Sequence, residues 1–206
     1  MRLNFNALEK QRIAILASGS GSNAEQFIRY FAGDADAEVV WVGCNRPEGR
    51  AGVYQRTREL GLETTFFQAD QLRNGEVLSI LKAAQVDWVV LAGFLLRVPA
   101  DLVAHFRKRM MNIHPALLPD FGGKGMYGMH VHTAVKASGK YETGITVHWV
   151  NLEYDEGDVI FQAVCKVTPE DSPEQIAANV AKLEHRYYAH TAHALIRDAA
   201  TKLAES

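Results

Sequence analysis

The stretch Arg12-Ile13-Ala14-Ile15-Leu16-Ala17-Ser18-Gly19-Ser20-Gly21-Ser22-Asn23 joins an apolar run to a run of small residues. Arg12 to Ala17 predicts a buried strand, and Ser18 to Asn23 predicts the turn that ends it. Ala24 to Phe31 follows with helical spacing, its apolar side made of Phe27, Ile28 and Phe31. The same unit recurs downstream. Strands are expected over 38–44, 62–67, 87–92 and 110–113, and helices over 50–60, 76–85 and 99–106. Strict strand–helix alternation argues for an α/β domain, a mostly parallel sheet with helices on both faces. The pattern then changes. Segments 143–150 and 159–167 are strand-like with no room for a helix between them, which predicts an antiparallel pair. A long helix over 172–202 follows, capped by Asp171 or Ser172 with Pro173 in its first turn.

The chain has 206 residues, enough for one well-buried domain and short for two. The expected division is 12–113 as a phosphate-binding α/β half and 114–206 as a second part ending in the long helix. Residues 1–11 read as a loose polar lead-in. With 48% hydrophobic and 22% charged residues, the chain falls among soluble globular proteins. A net charge of -2 gives no general field for nucleic acid or membrane binding, so an anionic ligand needs a local site. Cys44 and Cys165 lie far apart in apolar runs and are expected to be buried free thiols. No signal segment or bilayer-length apolar run is evident, and the default expectation is a cytoplasmic protein.

Three segments carry candidate chemistry. In Ser18 to Asn23 the glycines let backbone N–H groups approach an anion at a helix N-terminus, which suits a phosphate and ranks slightly above a tight turn that binds nothing. The run lacks the Lys of a P-loop and the third glycine of a dinucleotide fingerprint. In Met111-Asn112-Ile113-His114-Pro115, period-2 alternation sends Asn112 and His114 to one side of a strand end. An amide donor beside an imidazole suits acyl-type transfer, although a lone His at a strand end is more often a hydrogen-bonded structural residue. Asp155 in Asp155-Glu156-Gly157-Asp158 is either part of a solvated hairpin tip or the partner of His114, raising its pKa and favouring the imidazolium.

Other segments are less specific. Gly122 to Gly128 is a glycine-rich loop, a lid over a ligand or a plain surface excursion. His130 and His132 precede a helical segment, where residues two apart do not share a face, so packing or a substrate-side role ranks above metal binding. Glu184-His185-Arg186-Tyr187-Tyr188 reads by itself as a solvated helix face.

Together these segments resemble the folate-dependent phosphoribosylglycinamide formyltransferases of purine synthesis, from Arg12 to about His193. The resemblance rests on 91–94, on Asn112-Ile113-His114-Pro115-Ala116-Leu117-Leu118-Pro119, on Gly144-Ile145-Thr146-Val147-His148 with Asp155, on 19–23, and on Glu184-His185 with Tyr188. It implies a Rossmann-like formyltransferase fold. It implies attack of the amine of glycinamide ribonucleotide on the formyl carbon of 10-formyltetrahydrofolate, a co-substrate, with no metal and no nucleic-acid or membrane partner. The protein would be a monomer or a homodimer. Asn112, His114 and Asp155 would be catalytic. Gly21, Ser22 and Asn23 would hold the substrate phosphate, and Glu184 its ribose or glycinamide end. Leu95, Leu96, Val98, Asn151, Leu152 and Tyr154 would line the pterin pocket, with Arg73 a contact for the folate tail. Leu96 stands where many members carry Arg, and the loop 121–129 is longer than in many. Alternatives that share the chemistry are a sugar-nucleotide N-formyltransferase and formyltetrahydrofolate hydrolase. A non-catalytic nucleotide- or folate-binding module would be expected to lack one of Asn112, His114 and Asp155. Methionyl-tRNA formyltransferase and the hydrolase are expected to carry an additional domain.

Overall fold

The computed structural model describes residues 10–204, so the expected lead-in lies outside the described residues except for its end, where Gln11 already opens the first strand. The elements run β1 (Gln11–Ala17), α1 (Ser22–Phe31), β2 (Ala37–Cys44), α2 (Val53–Arg58), β3 (Thr64–Phe66), α3 (Ala69–Arg73), α4 (Glu76–Ala83), β4 (Trp88–Ala92), α5 (Ala100–His105), β5 (Met110–His114), α6 (Met129–Ala137), β6 (Glu142–Trp149), β7 (Val159–Lys166) and α7 (Pro173–Ala204). The strands form one sheet in the order β3-β2-β1-β4-β5-β6-β7. The first five are parallel, and β6 and β7 run antiparallel to their neighbours.

Alternation along the central strands explains why both sheet faces are covered. Ile13, Ile15 and Ala17 enter one core with Phe27 and Phe31 of α1 and with Tyr188, Ala192 and Ile196 of α7. Ala14 and Leu16 enter the opposite core with Leu72, Leu81, Leu102 and Phe106 from α3, α4, α5 and the end of α5. Burying an apolar side chain of this size is worth about 1.5–3 kcal/mol, so each face of β1 needs its own helical layer.

The chain order reverses at β1, whose neighbours are β2 and β4. In open α/β sheets a crevice opens at such a point beyond the C-terminal strand ends. Two features deliver side chains to it. The Tyr188 hydroxyl donates to the Leu91 and Met111 carbonyls at 2.9 and 3.1 Å, pinning α7 across the ends of β4 and β5. Glu184 lies one turn earlier on the same helix face. The β5–β6 register sets Asn112 directly opposite His148 and His114 opposite Thr146.

The structure corrects several expectations. α2 is shorter than 50–60, and α3 adds a short helix between the expected strand 62–67 and helix 76–85. α6 begins at Met129, so His130 and His132 are both helical. Ser172 caps α7: its Oγ accepts from the Gln175 N–H at 3.3 Å, while the Gln175 side chain accepts from the Ser172 N–H at 2.7 Å. Asp171 instead accepts from the Thr168 N–H. Cys44 is buried, but Cys165 is only half-buried because it lies on the edge strand β7. No described helix is long and apolar enough to cross a membrane.

Candidate active site

A cleft of about 570 Å³ lies at the C-terminal ends of β1, β4 and β5. One end is the turn 19–23. Gly21 has φ +77°, and a Cβ there would meet Val53 Cα at 2.5 Å, so the left-handed turn and the close approach of α2 both require glycine. The N-terminus of α1 has no side-chain cap, leaving its first N–H groups available to an anion.

The far end holds the hydrogen-bonded group expected from sequence, with one addition. His114 is 3% exposed, its Nε2 2.8 Å from the Phe121 carbonyl and its Nδ1 3.4 Å from Asp155 Oδ2. Asn112 Nδ2 lies 3.0 Å from His148 Nε2 and 3.4 Å from Asp155 Oδ1. His148 Nδ1 lies 3.0 Å from the Trp149 carbonyl, so that nitrogen carries the proton and Nε2 accepts from Asn112. The Gly123 N–H donates to Asp155 Oδ2 at 2.9 Å. His148 was not assigned a role from sequence, because only the strand register places it opposite Asn112. Thr146, beneath His114, donates to the Ala116 carbonyl at 2.7 Å and accepts from the Leu118 N–H at 2.9 Å, fixing the backbone that follows His114.

Asp155 does reach His114 and does push its pKa upward. The net direction is nevertheless downward. Burial is the largest influence and outweighs the raising effects of Asp155 and the Phe121 carbonyl, while His148 adds to the lowering. The expectation of a resting imidazolium is therefore corrected: removing the ring from water costs its charged form more than one carboxylate returns. Both ring nitrogens face acceptors, so an imidazolium here is hydrogen-bonded on both sides, and exchanging a proton with a bound molecule requires one of these contacts to open. Burial raises Asp155, but His148, His114 and the Gly123 N–H together hold it below the ordinary carboxylate value.

Glu184 is not on a solvated face. It is half-buried, lines the cleft, and is pushed up to about 7 by burial, against the lowering effect of a hydrogen bond from Asn23. Asn23 thus turns its amide N–H toward Glu184, while its Oδ1 is buried without a partner. His132 also lines the cleft; it is 6% exposed, with Nδ1 unpartnered. Unsatisfied buried polar atoms are uncommon and mark places where a ligand can supply the missing bond. His130 is exposed, so the two histidines part as helical spacing requires.

Beside the cleft lies a second cavity of about 60 Å³, walled by Leu96, Val98, Asn151, Leu152 and Tyr154, with Asn112 and Asp155 at its inner end. Leu95 departs from expectation: it lines the main cleft, its N–H tied to Ser18 Oγ at 3.0 Å. Arg97 clasps the two walls together, Nε donating to the Leu152 carbonyl and Nη2 pairing with Glu153, both at 2.7 Å. Arg73 is exposed at the end of α3 and lines neither cavity.

The arrangement joins an uncapped helix N-terminus, a donor amide and a buried imidazole with its carboxylate. The Formyl transferase family matches residues 11–192. A chloroplastic phosphoribosylglycinamide formyltransferase of Arabidopsis thaliana is 37% identical over 92% of this chain, which spans 66% of that protein's length. A phosphoribosylglycinamide formyltransferase of Haemophilus influenzae is 31% identical, covering 86% of this chain and 84% of its own length. The crystal structure of the Anaplasma phagocytophilum enzyme of that name superposes with a TM-score of 0.83 at 29% identity, covering 92% of this chain and 89% of the other. By sequence and by fold, the chain belongs to the formyl transferase family.

Proposed function

We propose that the protein transfers the formyl group of 10-formyltetrahydrofolate to the amine of glycinamide ribonucleotide. The observation that carries this reading is the joining of Asn112, His114 and Asp155 to an uncapped helix N-terminus within one cleft. In this reading the phosphate binds the N–H groups of Gly21, Ser22 and Asn23, and the ribose or glycinamide end meets Glu184. The formyl-folate enters between Leu96–Val98 and Asn151–Tyr154, with Leu95 on the cleft side. A cavity of about 60 Å³ is well below the ~300 Å³ of ordinary ligand sites, so folate binding requires these walls to part. Purine synthesis is the setting that goes with this activity.

The amine attacks the formyl carbon, and the carbonyl oxygen takes up negative charge. Asn112 meets that charge with the N–H now spent on the long 3.4 Å contact to Asp155. Its other N–H stays with His148, which fixes the plane of the amide. The nitrogen that attacked must lose a proton, and the folate nitrogen that departs must gain one. His114, resting neutral, accepts the first and returns a proton to the second, directly or through water. Asp155 stabilises the imidazolium formed in between.

The test is an amine panel with 10-formyltetrahydrofolate, following tetrahydrofolate release. Release that depends on glycinamide ribonucleotide is expected. Release only with amino-sugar nucleotides, or without any amine, would overturn the substrate assignment.

A further inference from the structure

We infer that Lys124, on the loop 122–128, is the residue that recognises the phosphate of the amine substrate, a phosphate monoester. The inference rests on the proposed function for the identity of that substrate. Lys124 is the single Lys or Arg among the residues lining the cleft, and it shares that lining with the carboxylates of Asp155 and Glu184 and with the turn 19–23. The turn contributes only uncharged donors, its backbone N–H groups and the hydroxyls of Ser20 and Ser22, while its one amide side chain, Asn23, is directed to Glu184. A phosphate monoester of charge about -2 entering this cleft meets the fixed negative charge of Asp155, so uncharged donors alone leave its charge poorly balanced.

Lys124 is placed to supply the missing charge. Its side chain is exposed and has no ion-pair partner among the described residues, whereas Lys108 and Lys140 are committed to Asp158 and Asp120. Arg56 lies behind the turn but is held by Glu25 and the Ser20 carbonyl and does not line the cleft. The backbone around Lys124 passes through positive φ at Gly123, Gly125 and Gly128, so the loop can adjust over a bound ligand without straining a side-chain-bearing residue. The Gly123 N–H is bonded to Asp155, which ties one end of this loop to the group that holds His114. Phosphate recognition and the catalytic imidazole thus share one short segment.

The experiment compares wild type, Lys124→Met and Lys124→Arg by isothermal titration calorimetry with ribose 5-phosphate, and with neutral ribose as control. Lys124→Met is expected to weaken ribose 5-phosphate about tenfold, Lys124→Arg to retain most of the affinity, and ribose to show no change. In turnover, Lys124→Met should raise KM for glycinamide ribonucleotide by a similar factor, leaving KM for the folate and kcat nearly unchanged. Equal ribose 5-phosphate binding in wild type and Lys124→Met, or a rise confined to the folate KM, overturns the inference. Lys124-dependent binding of ribose 5-phosphate in a protein that formylates no glycinamide ribonucleotide would leave the phosphate site standing and fail the reaction assignment instead. Because Lys124 is exposed, unchanged thermal melting is expected and excludes a folding defect as the cause.

Discussion

Asp155 and Glu184 line the same cleft, yet their surroundings push them in opposite directions. Asp155 accepts the Gly123 N–H and lies against Asn112, His114 and His148. Glu184 is set into the cleft by α7 with Asn23 as its hydrogen-bonding partner. Burial disfavours the anion in both. The two imidazoles and the Gly123 N–H outweigh burial at Asp155 and a single amide does not at Glu184, so the first is held below the usual carboxylate value and the second rises to about 7. One corner is thus organised to keep a fixed negative charge beside an imidazole, and the other to exchange a proton near neutral pH. In the proposed reaction the Asp155 corner is the reacting end and the Glu184 corner the recognition end.

Substitutions at the reacting corner should have the largest effect. His114→Ala is expected to lower kcat by about 10²–10⁴, with near-wild-type folding by circular dichroism. Wild-type-like turnover would take His114 out of the proton path. Asn112→Ala should cost about 10²–10³ in kcat through loss of the oxyanion donor. A change confined to KM would make Asn112 a binding residue only.

Asp155→Asn is expected to have a smaller effect on rate and a diagnostic one on pH. Asp155 raises His114, so its removal lets burial pull the imidazole lower still, and the acid limb of the pH–rate profile should move to lower pH. An unmoved limb would mean that the two do not couple. Stability should also change, with opposite sign at the two corners. Asp155, lowered from 3.8, contributes stability that is present above that value and lost on acidification through its lower folded value. Glu184 is raised from 4.5 to about 7, so the folded state loses stability as pH rises through that window. Glu184→Gln should remove the loss, gaining about 1–3 kcal/mol relative to wild type at pH 8 but not at pH 4, read by urea unfolding. Equal differences at both pH values would contradict a raised Glu184.

The two corners also differ in how much the sequence shows. Asn112 and His114 share a side because strand alternation is local, and the buried strands β1, β4 and β5 are apolar runs whose ends small residues or loops mark. The short helix α3 buries only Leu72, too little for any periodicity to register. His148 meets Asn112 only through the antiparallel register of β5 with β6, which no local pattern contains. Glu184 stands among charged neighbours in the chain, and its burial comes from the pinning of α7 by Tyr188. The direction of the His114 shift needed the depth of its burial as well as its partner. Chemistry written in adjacent residues was legible; environments assembled from distant segments were not.

The most direct test of the account follows a ¹³C-formyl group from 10-formyltetrahydrofolate by NMR, with glycinamide ribonucleotide present and absent, in wild type and His114→Ala. The account predicts that the label moves to the glycinamide nitrogen in wild type, stays on folate when the amine is withheld, and moves orders of magnitude more slowly in His114→Ala. Label released as formate without the amine, or transferred equally fast by both proteins, would contradict it.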